Sequence, residues 1–580
     1  MSKTPNYDNK LKQILDSTEL GERTCQISGD KWNFNEQEMD WCKKFQVPPN
    51  KYAPLTRMKQ TGGFRTAFEI FWNKHMETGK PTMSYIHPDL DFKIVLDDEW
   101  HNIDVGTIKE YQSKFDSNKP FFDQYYDLIT KVPFGARREW RNIKNTIGIG
   151  MWDVEDSYIV CSTVDGKRCM YTYYCLEKCE DITDGLFVYT CQNCWNCAQI
   201  MRCHSCNSAF ESRDCMKCSF IYDCRNCENV YGGTNLRNKK YIWFNEQLSK
   251  EEWEEKVKGI DLSCRTRFDE YMEKFKALIE NSVSPENFNI NSPDCTGEYL
   301  TDCVRCEETY YSQKCTDCAW TQGSAGGERS YFISCVYPAS DCWMGSMITN
   351  SHDIKFSSII GKSRSIEYST NCHDCENCFG CVGLKNKKFH IFNKEYSEDE
   401  YWKEVDKIKC AMLDNDEYGE FLPPRMSPTG IQFSQAALFY HMPQDEIKKY
   451  CDEILDPDKG AVLSDAKTDD KDILSIKDVP DCLADIDQDK YVGKPFMDEK
   501  ANRRWSVAPI EFKFLSERKL PFPQGHYSTR MRNLYSMLNA PDCEQMDCTA
   551  CGKSIRASKN MGLKRRVYCH DCYLKHLEEN

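Results

Sequence analysis

The sequence lacks the features of a membrane or secreted protein. No run of about eighteen apolar residues occurs in it, and the mean hydropathy is -0.69. The N-terminal segment MSKTPNYDNKLKQIL is polar and of mixed charge, without the apolar stretch of a signal peptide. We therefore expect a soluble, cytoplasmic protein without membrane contacts, or a protein of a virion or an infected cell if the source is viral.

Familiar catalytic motifs are also missing. The chain has no GxxxxGK[ST] phosphate loop, no HExxH and no GxSxG. GIG at 148–150 and GSAGG at 323–327 lack the strand and helix context that would give them a catalytic meaning. The sequence thus names no small-molecule substrate and no catalytic residue. It favours a non-enzymatic protein and leaves the question of an enzyme open.

What the chain does have is cysteine, 35 of them in 580 residues. A chain of this length can bury a hydrophobic core without covalent cross-links, so the cysteines need another explanation. In a reducing compartment they are more often metal ligands or buried thiols than disulfides, and an odd total argues against complete pairing. We expect free or metal-bound thiols.

The best-defined metal site is at the C-terminal end. CTAC at 548–551 and CHDC at 569–572 are separated by seventeen residues, enough for a hairpin that brings two thiolate pairs into one tetrahedron. This spacing predicts structural zinc in a zinc ribbon or treble clef, with a helix starting at the second pair. The predicted ligands are Cys548, Cys551, Cys569 and Cys572.

A degenerate, metal-less copy of this ribbon is predicted near the N-terminus. HMETGK at 75–80 and VLDDEW at 95–100 parallel CTACGK and VYCHDC. His75 and Thr78 would take the places of the first cysteine pair, and Asp97 and Trp100 those of the second. Aromatic packing would then replace the metal.

Two cysteine-dense stretches dominate the middle of the chain and close with the same motif. NKKYIWFN at 238–245 and NKKFHIFN at 386–393 align without a gap at an offset of 148 residues, which indicates an internal duplication. Inside the first stretch, CxxC pairs recur at 21 residues. A fixed period near 20 predicts a solenoid, and runs such as YFISCVY at 331–337 favour strands. We expect two short β-solenoid segments.

The cysteine pairs in these stretches have two interpretations, which share every residue. They bind zinc in sets of four, or they are small buried thiols stacked inside a solenoid. A redox or metal-handling CxxC protein is a further alternative. The four sets are Cys194, Cys197, Cys203 and Cys206; Cys215, Cys218, Cys224 and Cys227; Cys303, Cys306, Cys315 and Cys318; and Cys372, Cys375, Cys378 and Cys381.

These patterns predict a mostly β fold with added helices: two β-solenoid segments flanked by an N-terminal α+β region and the C-terminal zinc ribbon. Helices are expected at 65–74 and 120–130. The predicted units are 1–145, the α+β region with the degenerate ribbon; 146–260, the first repeat segment; 261–293, a helical connector; 294–412, the second repeat segment; 413–500, an acidic linker; and 501–580, the basic zinc-ribbon domain.

The C-terminal unit differs in charge from the rest of the chain. The whole chain has a formal net charge of -15, but residues 501–580 carry 14 Lys and Arg against 8 Asp and Glu. A basic segment beside a zinc ribbon is a candidate phosphate-binding loop for RNA or DNA. The alternative is a solvated loop or a contact with the protein's own acidic linker. The candidates are Lys553, Arg556, Lys559, Lys564, Arg565 and Arg566.

Several motifs of this chain resemble those of a known protein family. NCFGCVGLKNKKFHIFNKEYSEDEY at 377–401, GEFLPPRMSPTG at 419–430, IKDVP at 476–480 and the C-terminal cysteine pairs are similar to those of a cysteine-rich zinc-ribbon and repeat family. This family is abundant in candidate-phyla-radiation bacteria and in environmental and viral genomes. Its members usually carry a further N-terminal zinc-ribbon cysteine set, which this chain has lost.

The resemblance implies zinc-ribbon ends around a cysteine-rich repeat but no established activity. The leading hypothesis is a non-enzymatic zinc-binding scaffold or interaction protein, whose partner is another protein or a second copy of itself. The alternatives are a nucleic-acid adaptor that uses the basic C-terminal ribbon, and the redox or metal-handling protein.

Overall fold

The computed structural model describes residues 2–462 and 472–579, apart from 140, 145, 156 and most of 162–205, where only 169, 170, 172, 182–186 and 195–197 are described. Helices hold about 29% and strands about 30% of the chain. The fold is therefore mixed α/β, and the expectation of a mostly β protein is wrong. No helix in the described part has both the length and the apolar character needed to cross a membrane.

The helices lie mainly in the N-terminal region, after each cysteine-dense stretch and in the C-terminal region. They are α1 (Pro5–Ser17), α2 (Glu36–Phe45), α3 (Pro54–Gly62), α4 (Asp97–Asn102), α5 (Phe121–Ile129), α6 (Lys250–Lys258), α7 (Arg265–Glu280), α8 (Glu398–Asp414), α9 (Gln435–Phe439), α10 (Gln444–Ile447), α11 (Gln488–Tyr491), α12 (Pro509–Arg518), α13 (Tyr527–Ser536) and α14 (His570–Glu579).

The strands are mostly short. They are β1 (Gly21–Thr24), β2 (Lys31–Phe34), β3 (Phe71–Lys74), β4 (Pro81–Ser84), β5 (Ile94–Val95), β6 (Phe134–Gly135), β7 (Arg141–Lys144), β8 (Ile147–Ile149), β9 (Trp152–Glu155), β10 (Tyr158–Cys161), β11 (Asn207–Phe210), β12 (Ser219–Tyr222), β13 (Glu228–Thr234), β14 (Lys240–Trp243), β15 (Glu246–Gln247), β16 (Val283–Pro285), β17 (Gly297–Glu298), β18 (Glu307–Tyr310), β19 (Ala319–Gln322), β20 (Gly327–Glu328), β21 (Tyr331–Gly361), β22 (Arg364–Glu367), β23 (Thr370–His373), β24 (Glu376–Phe379), β25 (Lys388–Ile391), β26 (Lys394–Glu395), β27 (Phe496–Asp498), β28 (Arg503–Trp505), β29 (Asn539–Asp547), β30 (Ser554–Asn560) and β31 (Arg566–Tyr568).

The predicted helix at 120–130 is confirmed by α5, whereas the one at 65–74 is wrong, because 71–74 is strand β3. The YFISCVY run lies in a strand, as predicted, within β21.

Two parallel sheets carry the cysteine-dense stretches, and we call them the first ladder (β11–β15) and the second ladder (β17–β26). Their parallel strands pair at a constant offset of twelve residues. Ala209 pairs with Ile221 in the first ladder. In the second, Thr309 pairs with Thr321 and Ile354 with Ile366. The period of 21 inferred from the sequence is therefore wrong, and the spatial period is 12.

The backbone of both ladders turns at every third residue. From 208 to 241 in the first ladder, and from 299 to 392 in the second except at Pro338, every third residue has a positive φ. Asn, Asp and Gly tolerate this left-handed conformation best, and they fill many of these positions, including Asn226, Asp302 and Gly380. Twelve residues contain four such turns, which explains why strands between turns are short.

The residue that follows a left-handed position is buried except near the end of each ladder, where Leu236, Lys239 and Lys387 are half-buried. Most ladder cysteines lie at these inward positions. Cys303 follows Asp302 and Cys306 follows Arg305, and both cysteines are at most 2% exposed. A CxxC spacing therefore marks two consecutive inward positions. It does not by itself mark a metal-binding turn.

Inside the ladders, thiols and hydroxyls make the same hydrogen bonds. Cys375 donates from its Sγ to the carbonyl of His373 at 3.2 Å, and Ser363, twelve residues earlier, donates to Gly361 at 2.8 Å. Ser363 also accepts a hydrogen bond from the backbone N–H of Cys375 at 3.0 Å. Burial raises the pKa of Cys342 to about 12, so the thiol of Cys342 is a protonated donor at neutral pH.

The two copies of the duplicated motif form the same elements. β14, the antiparallel strand β15 and α6 close the first ladder, and β25, β26 and α8 close the second. Both helices begin with a capping box, Ser249 with Glu252 and Ser397 with Glu400. Because β15 and β26 cover the last parallel strand, each ladder ends in a hairpin.

The helices and loops around the ladders pack on their outer faces. On α7, Phe275 contacts Phe210 and Phe220 of the first ladder at ring distances of 5.9 and 6.0 Å. The segment predicted as an acidic linker holds buried residues, among them Phe439, which stacks on Tyr535 of α13 at 4.8 Å.

Replacement of Cys375 tests the interchangeability of thiol and hydroxyl in the ladder. We expect Cys375→Ser to change the free energy of unfolding by less than about 1 kcal/mol, since a hydroxyl can make the same hydrogen bond. Cys375→Leu should cost roughly 1–3 kcal/mol because the narrow interior is overpacked. Urea unfolding followed by circular dichroism measures both.

Glu376→Leu, on the outer surface next to this position, is the matched control and should have a small effect. A loss of bound metal in the Cys375→Ser variant would contradict the interpretation of Cys375 as a thiol that only fills the interior.

Candidate metal centre

A hairpin and a helix position the four C-terminal cysteines. β29 and β30 are joined by a six-residue turn at 548–553, in which Cys548 N–H donates to the carbonyl of Lys553 at 2.8 Å. The N–H of Gly552 donates to the carbonyl of Cys548 at 2.9 Å, and Gly552 has φ of 72°, a conformation that glycine adopts without strain. The second pair lies at the start of α14, as the sequence predicted.

The four sulfurs of Cys548, Cys551, Cys569 and Cys572 all lie within 4.8 Å of one another. The Cys551 and Cys569 sulfurs are 3.8 Å apart. Four ligands at about 2.3 Å from a tetrahedral zinc ion are separated by about 3.8 Å. The cluster could therefore hold one metal ion with little movement of the ligands.

The electrostatics of the cluster favour a bound cation. Burial opposes ionisation of Cys548, but the N–H groups of Cys569, Cys551 and Ala550 point to its sulfur and lower its pKa to about 6. The neighbouring sulfurs of Cys569 and Cys551 raise the pKa of Cys572 to about 12. Four thiolates thus repel one another unless a cation lies between them, and four thiolate ligands are typical of structural zinc.

The same six-residue turn occurs twice more in the N-terminal region. At 75–80, His75 N–H donates to Lys80 at 3.0 Å, and Gly79 N–H to His75 at 2.9 Å. At 25–30, Cys25 N–H donates to Asp30 at 2.8 Å, and Gly29 N–H to Cys25 at 3.0 Å. The sequence analysis missed the turn at 25–30, although its glycine stands in the same place.

The degenerate copy is aligned differently from the sequence-based expectation. α4 begins at Asp97 as α14 begins at His570, so Leu96 and Glu99, not Asp97 and Trp100, take the places of the second cysteine pair. Glu99 Oε2 lies 2.6 Å from His75 Nε2. This polar contact joins the two halves at positions that correspond to two of the clustered cysteines in the C-terminal copy, and Trp100 is buried next to it in the sequence.

The ladder cysteines are arranged differently. Cys194 and Cys203 lie outside the described residues. Within the described part, only two groups of three or more Cys, His, Asp or Glu have ligand atoms that all lie within 4.8 Å: the C-terminal cluster, and Cys264 with Asp481 and Cys482. The sets at 303–318 and 372–381 are not among them. This favours stacked thiols over zinc sites.

One expectation about the cysteines is wrong. Cys264 and Cys482 form a disulfide across 218 residues of sequence, whereas the sequence analysis expected free or metal-bound thiols. The other cysteines whose state is described are free thiols. No spacing rule could have indicated a pair so far apart in the sequence.

Three of the six basic residues predicted to contact nucleic acid lie on strands and three between them, and several bind the protein itself. Arg556 in β30 pairs with Glu308 of the second ladder at 2.8 Å. Lys559 pairs with Asp542. Arg565 donates to Asn539 at 2.6 Å.

The remaining three basic candidates differ in their surroundings. Arg566 donates to the hydroxyl of Tyr568 at 3.1 Å. Lys553 and Lys564 are exposed. The positive charge of this unit is thus used in part for intramolecular contacts, as the alternative interpretation supposed. The partners differ: Arg556 pairs with Glu308 of the second ladder, whereas Arg503 of the same unit pairs with Asp458 of the 413–500 segment at 3.1 Å.

The metal-centre unit is attached to the first ladder through α14. The hydroxyl of Tyr573, next to Cys572, donates to Asp223 at 2.5 Å and accepts from Arg237 at 2.6 Å. β31, just before Cys569, pairs in parallel with β16. The four clustered cysteines are therefore adjacent to the contacts that join the two parts of the molecule.

Two buried carboxyl groups lie where the ladders meet the C-terminal unit. Burial raises the pKa of Glu211 to about 8 and that of Glu298 to about 7. The hydroxyl of Tyr299 donates to Glu211 and accepts from the N–H of Asn539 at 3.0 Å. The sequence analysis missed this network because its members lie far apart in the chain.

Comparison with protein-family models, with curated proteins and with solved structures finds no match to this chain.

Metal analysis of the purified, reduced protein should give about one zinc ion per chain. Cys572→Ala should lose this metal, because a three-thiolate site binds zinc more weakly and opens a coordination position. Plasma emission spectrometry measures the stoichiometry. Cys543→Ser is the matched control, since Cys543 lies in β29 outside the cluster and bonds to Ser558, and it should keep the metal.

About five zinc ions per chain would contradict the assignment of the ladder cysteines as free thiols. No bound metal in the wild-type protein would contradict the metal centre itself.

Glu211→Gln should stabilise the protein increasingly as the pH rises. The folded-state pKa of Glu211 lies above that of an unfolded glutamate, so its contribution to stability is complete below about pH 4.3 and is lost as the pH rises through about 8. Glutamine can still accept the Tyr299 hydrogen bond and does not ionise. Urea unfolding of both proteins at pH 5, 7 and 9 measures the difference.

Glu228→Gln is the control at a partly exposed ladder carboxylate that pairs with Lys240, and it should not stabilise at high pH. A constant difference between wild type and Glu211→Gln from pH 5 to 9 would contradict the raised pKa.

Proposed function

We propose that this chain is a non-enzymatic, zinc-binding scaffold, built on two cysteine-lined β-solenoid segments, that binds another protein or a second copy of itself. The observation that carries the proposal is the constant twelve-residue offset of parallel strands, with a buried residue at every third position from 300 to 384. A repeat of this kind stacks each turn on the next and leaves long, regular outer faces.

The filled interior of the ladders supports a scaffold rather than an enzyme. From 300 to 384, the inward residue at every third position is buried, and such packed side chains leave little space for a substrate between the turns. The ladder thiols are buried and hydrogen-bonded to backbone carbonyls, which makes them poor nucleophiles.

The C-terminal cluster supports zinc as the metal and a structural role for it. Four cysteines fill a tetrahedral shell and leave no open position for a substrate. Their hairpin and helix suit a zinc ribbon or treble clef. Bound zinc would fix the start of α14 and, through Tyr573, the contact with Asp223 in the first ladder.

An outer face of the second ladder supports a protein as the partner. An open groove of about 520 Å³ runs across neighbouring turns and is lined by charges of both signs. Its charged side chains include Lys362, Arg364, Asp374, Glu376 and Lys388. Mixed charges fit a polypeptide better than the uniform negative charge of nucleic acid.

The nucleic-acid adaptor is the other candidate, and the contacts of its basic residues make it the weaker one. Arg556, Lys559 and Arg565 already bind groups of the protein itself. Only a smaller set, including Lys553 and Lys564, is left exposed. The relation to the cysteine-rich zinc-ribbon and repeat family stays a proposal, supported by the shared motifs.

Light scattering coupled to size-exclusion chromatography separates these candidates. The scaffold should elute without nucleic acid, and Lys362→Glu with Arg364→Glu should weaken its self-association, or its binding to a copurified protein, by about tenfold or more. Lys407→Glu, on the exposed surface of α8, is the control. Both variants should keep the metal content of the wild type.

Salt-sensitive binding of mixed oligonucleotides that is lost when Lys564, Arg565 and Arg566 are replaced by Ala would favour the adaptor instead. A monomer that binds neither protein nor nucleic acid would contradict the scaffold.

A further inference from the structure

A disulfide joins the start of α7 to a distant segment, residues 472–487, which we call the strap. Cys264 immediately precedes α7 and lies opposite Cys482 in an antiparallel bridge. The N–H of Leu483 donates to the carbonyl of Ser263 at 3.1 Å, and the N–H of Arg265 to the carbonyl of Asp481 at 3.1 Å. Backbone contacts on both sides therefore hold the two cysteines together.

The strap also caps α7. Cys264 makes no capping hydrogen bond through its side chain, and Asp481 supplies the cap instead. Asp481 accepts from the N–H of Thr266 at 3.0 Å and from its hydroxyl at 2.6 Å. A carboxylate at a helix N-terminus satisfies free N–H groups and interacts favourably with the helix dipole. The cap residue is thus the direct neighbour of the disulfide cysteine.

α7 transmits this contact to the first ladder. Its buried residues are Tyr271, Phe275 and Ile279. Tyr271 contacts Tyr231 of the first ladder at a ring distance of 5.1 Å. A loss of order in the first turn of α7 would therefore affect a helix that covers an outer face of the first ladder.

Accessibility distinguishes this pair from the ladder cysteines. Cys264 and Cys482 are partly exposed, whereas ladder cysteines such as Cys303 and Cys372 are fully buried. A small disulfide compound in solution can contact Cys264 and Cys482 but not the buried ladder thiols. Cys264 also lies at the N-terminus of a sixteen-residue helix, where the dipole favours the thiolate.

We propose that Cys264 and Cys482 are a reversible thiol–disulfide exchange site that reacts with low-molecular-weight disulfides such as glutathione disulfide. The Cys264 thiolate attacks one sulfur of glutathione disulfide, which forms a mixed disulfide and releases one glutathione thiolate. The Cys482 thiolate then attacks the Cys264 sulfur and releases the second glutathione. Two protein thiols are oxidised, and one glutathione disulfide is reduced to two thiols.

The exchange controls how firmly the strap is held on α7. In the oxidised protein, the covalent bond keeps Asp481 at the helix N-terminus. In the reduced protein, non-covalent contacts alone hold it: the buried side chains of Val479, Leu483 and Ile486, and hydrogen bonds such as those from Arg265 to the carbonyls of Ile476 and Pro480 at 3.0 and 3.2 Å. Reduction therefore loosens the strap and the first turn of α7 without unfolding the ladders.

The test uses the full chain in buffers of varied ratio of glutathione to glutathione disulfide. Acid quenching, alkylation and peptide mass spectrometry should find a Cys264–Cys482 cross-link that appears and disappears with this ratio. Hydrogen exchange at 265–270 and 476–487 should be about tenfold faster in the reduced protein and unchanged at 352–367. Reduction with a phosphine, and zinc analysis of each sample, keep effects on the metal centre separate.

Variants sharpen this test. Cys482→Ser should exchange like the reduced protein at every ratio. Cys451→Ser is the control, because Cys451 is also partly exposed but donates to the carbonyl of Ile447, and it should behave like the wild type. If Cys482→Ser fails to fold, reduction of the wild-type protein gives the same comparison.

Three results would overturn the proposal. The first is alkylation of both cysteines at every ratio. The second is a cross-link that forms without any change in hydrogen exchange at α7 and the strap. The third is a second zinc ion in the reduced wild-type protein that is lost in Cys482→Ser and kept in Cys451→Ser, which would make Cys264, Asp481 and Cys482 a metal site instead.

Discussion

The narrow interior of the two ladders is the constraint on which the rest of the structure depends. A residue with a positive φ at every third position bends the backbone there. Each three-residue segment between two bends therefore places one side chain inside the ladder. From 300 to 384, the inward positions hold Cys, Ser and Thr and also aliphatic side chains such as Ile354 and Ile366, but no Phe, Tyr or Trp. Cysteine suits it because its thiol is compact and readily buried, and it can donate to a backbone carbonyl, as Cys375 does to His373. Serine does the same at Ser363.

The two ladders, each ending in a hairpin, in turn provide the surfaces on which the rest of the chain packs. α7 packs its aromatic residues on the first ladder, and the C-terminal unit is attached through Tyr573, Asp223 and Arg556. In this arrangement a metal ion at Cys548 and its three partner cysteines would stabilise a hairpin and a helix that contact both ladders. Several basic side chains of the C-terminal unit pair with groups of the protein itself, so fewer of them are available to bind a polyanion such as nucleic acid.

Local features of this structure could be predicted from the sequence, and distant ones could not. The C-terminal cysteine cluster and the helix after it depend on residues within 25 positions of one another, and both were predicted. The twelve-residue period was present in spacings such as Cys303 to Cys315, but the more conspicuous repeat of 21 concealed it, because both are multiples of the three-residue turn. The contacts of Glu211 with Tyr299 and of Cys264 with Cys482 join distant segments, and no periodicity encodes them.

The central claim is that the ladder cysteines fill space as protonated thiols while one cluster of four could bind metal. Sulfur K-edge X-ray absorption of the reduced, metal-loaded protein tests it most directly, because metal-bound thiolate and free thiol sulfur have different edge features. The account predicts that metal-bound sulfur corresponds to about four of the 35 cysteines. A fraction corresponding to the ladder sets as well, about twenty cysteines in all, would contradict it.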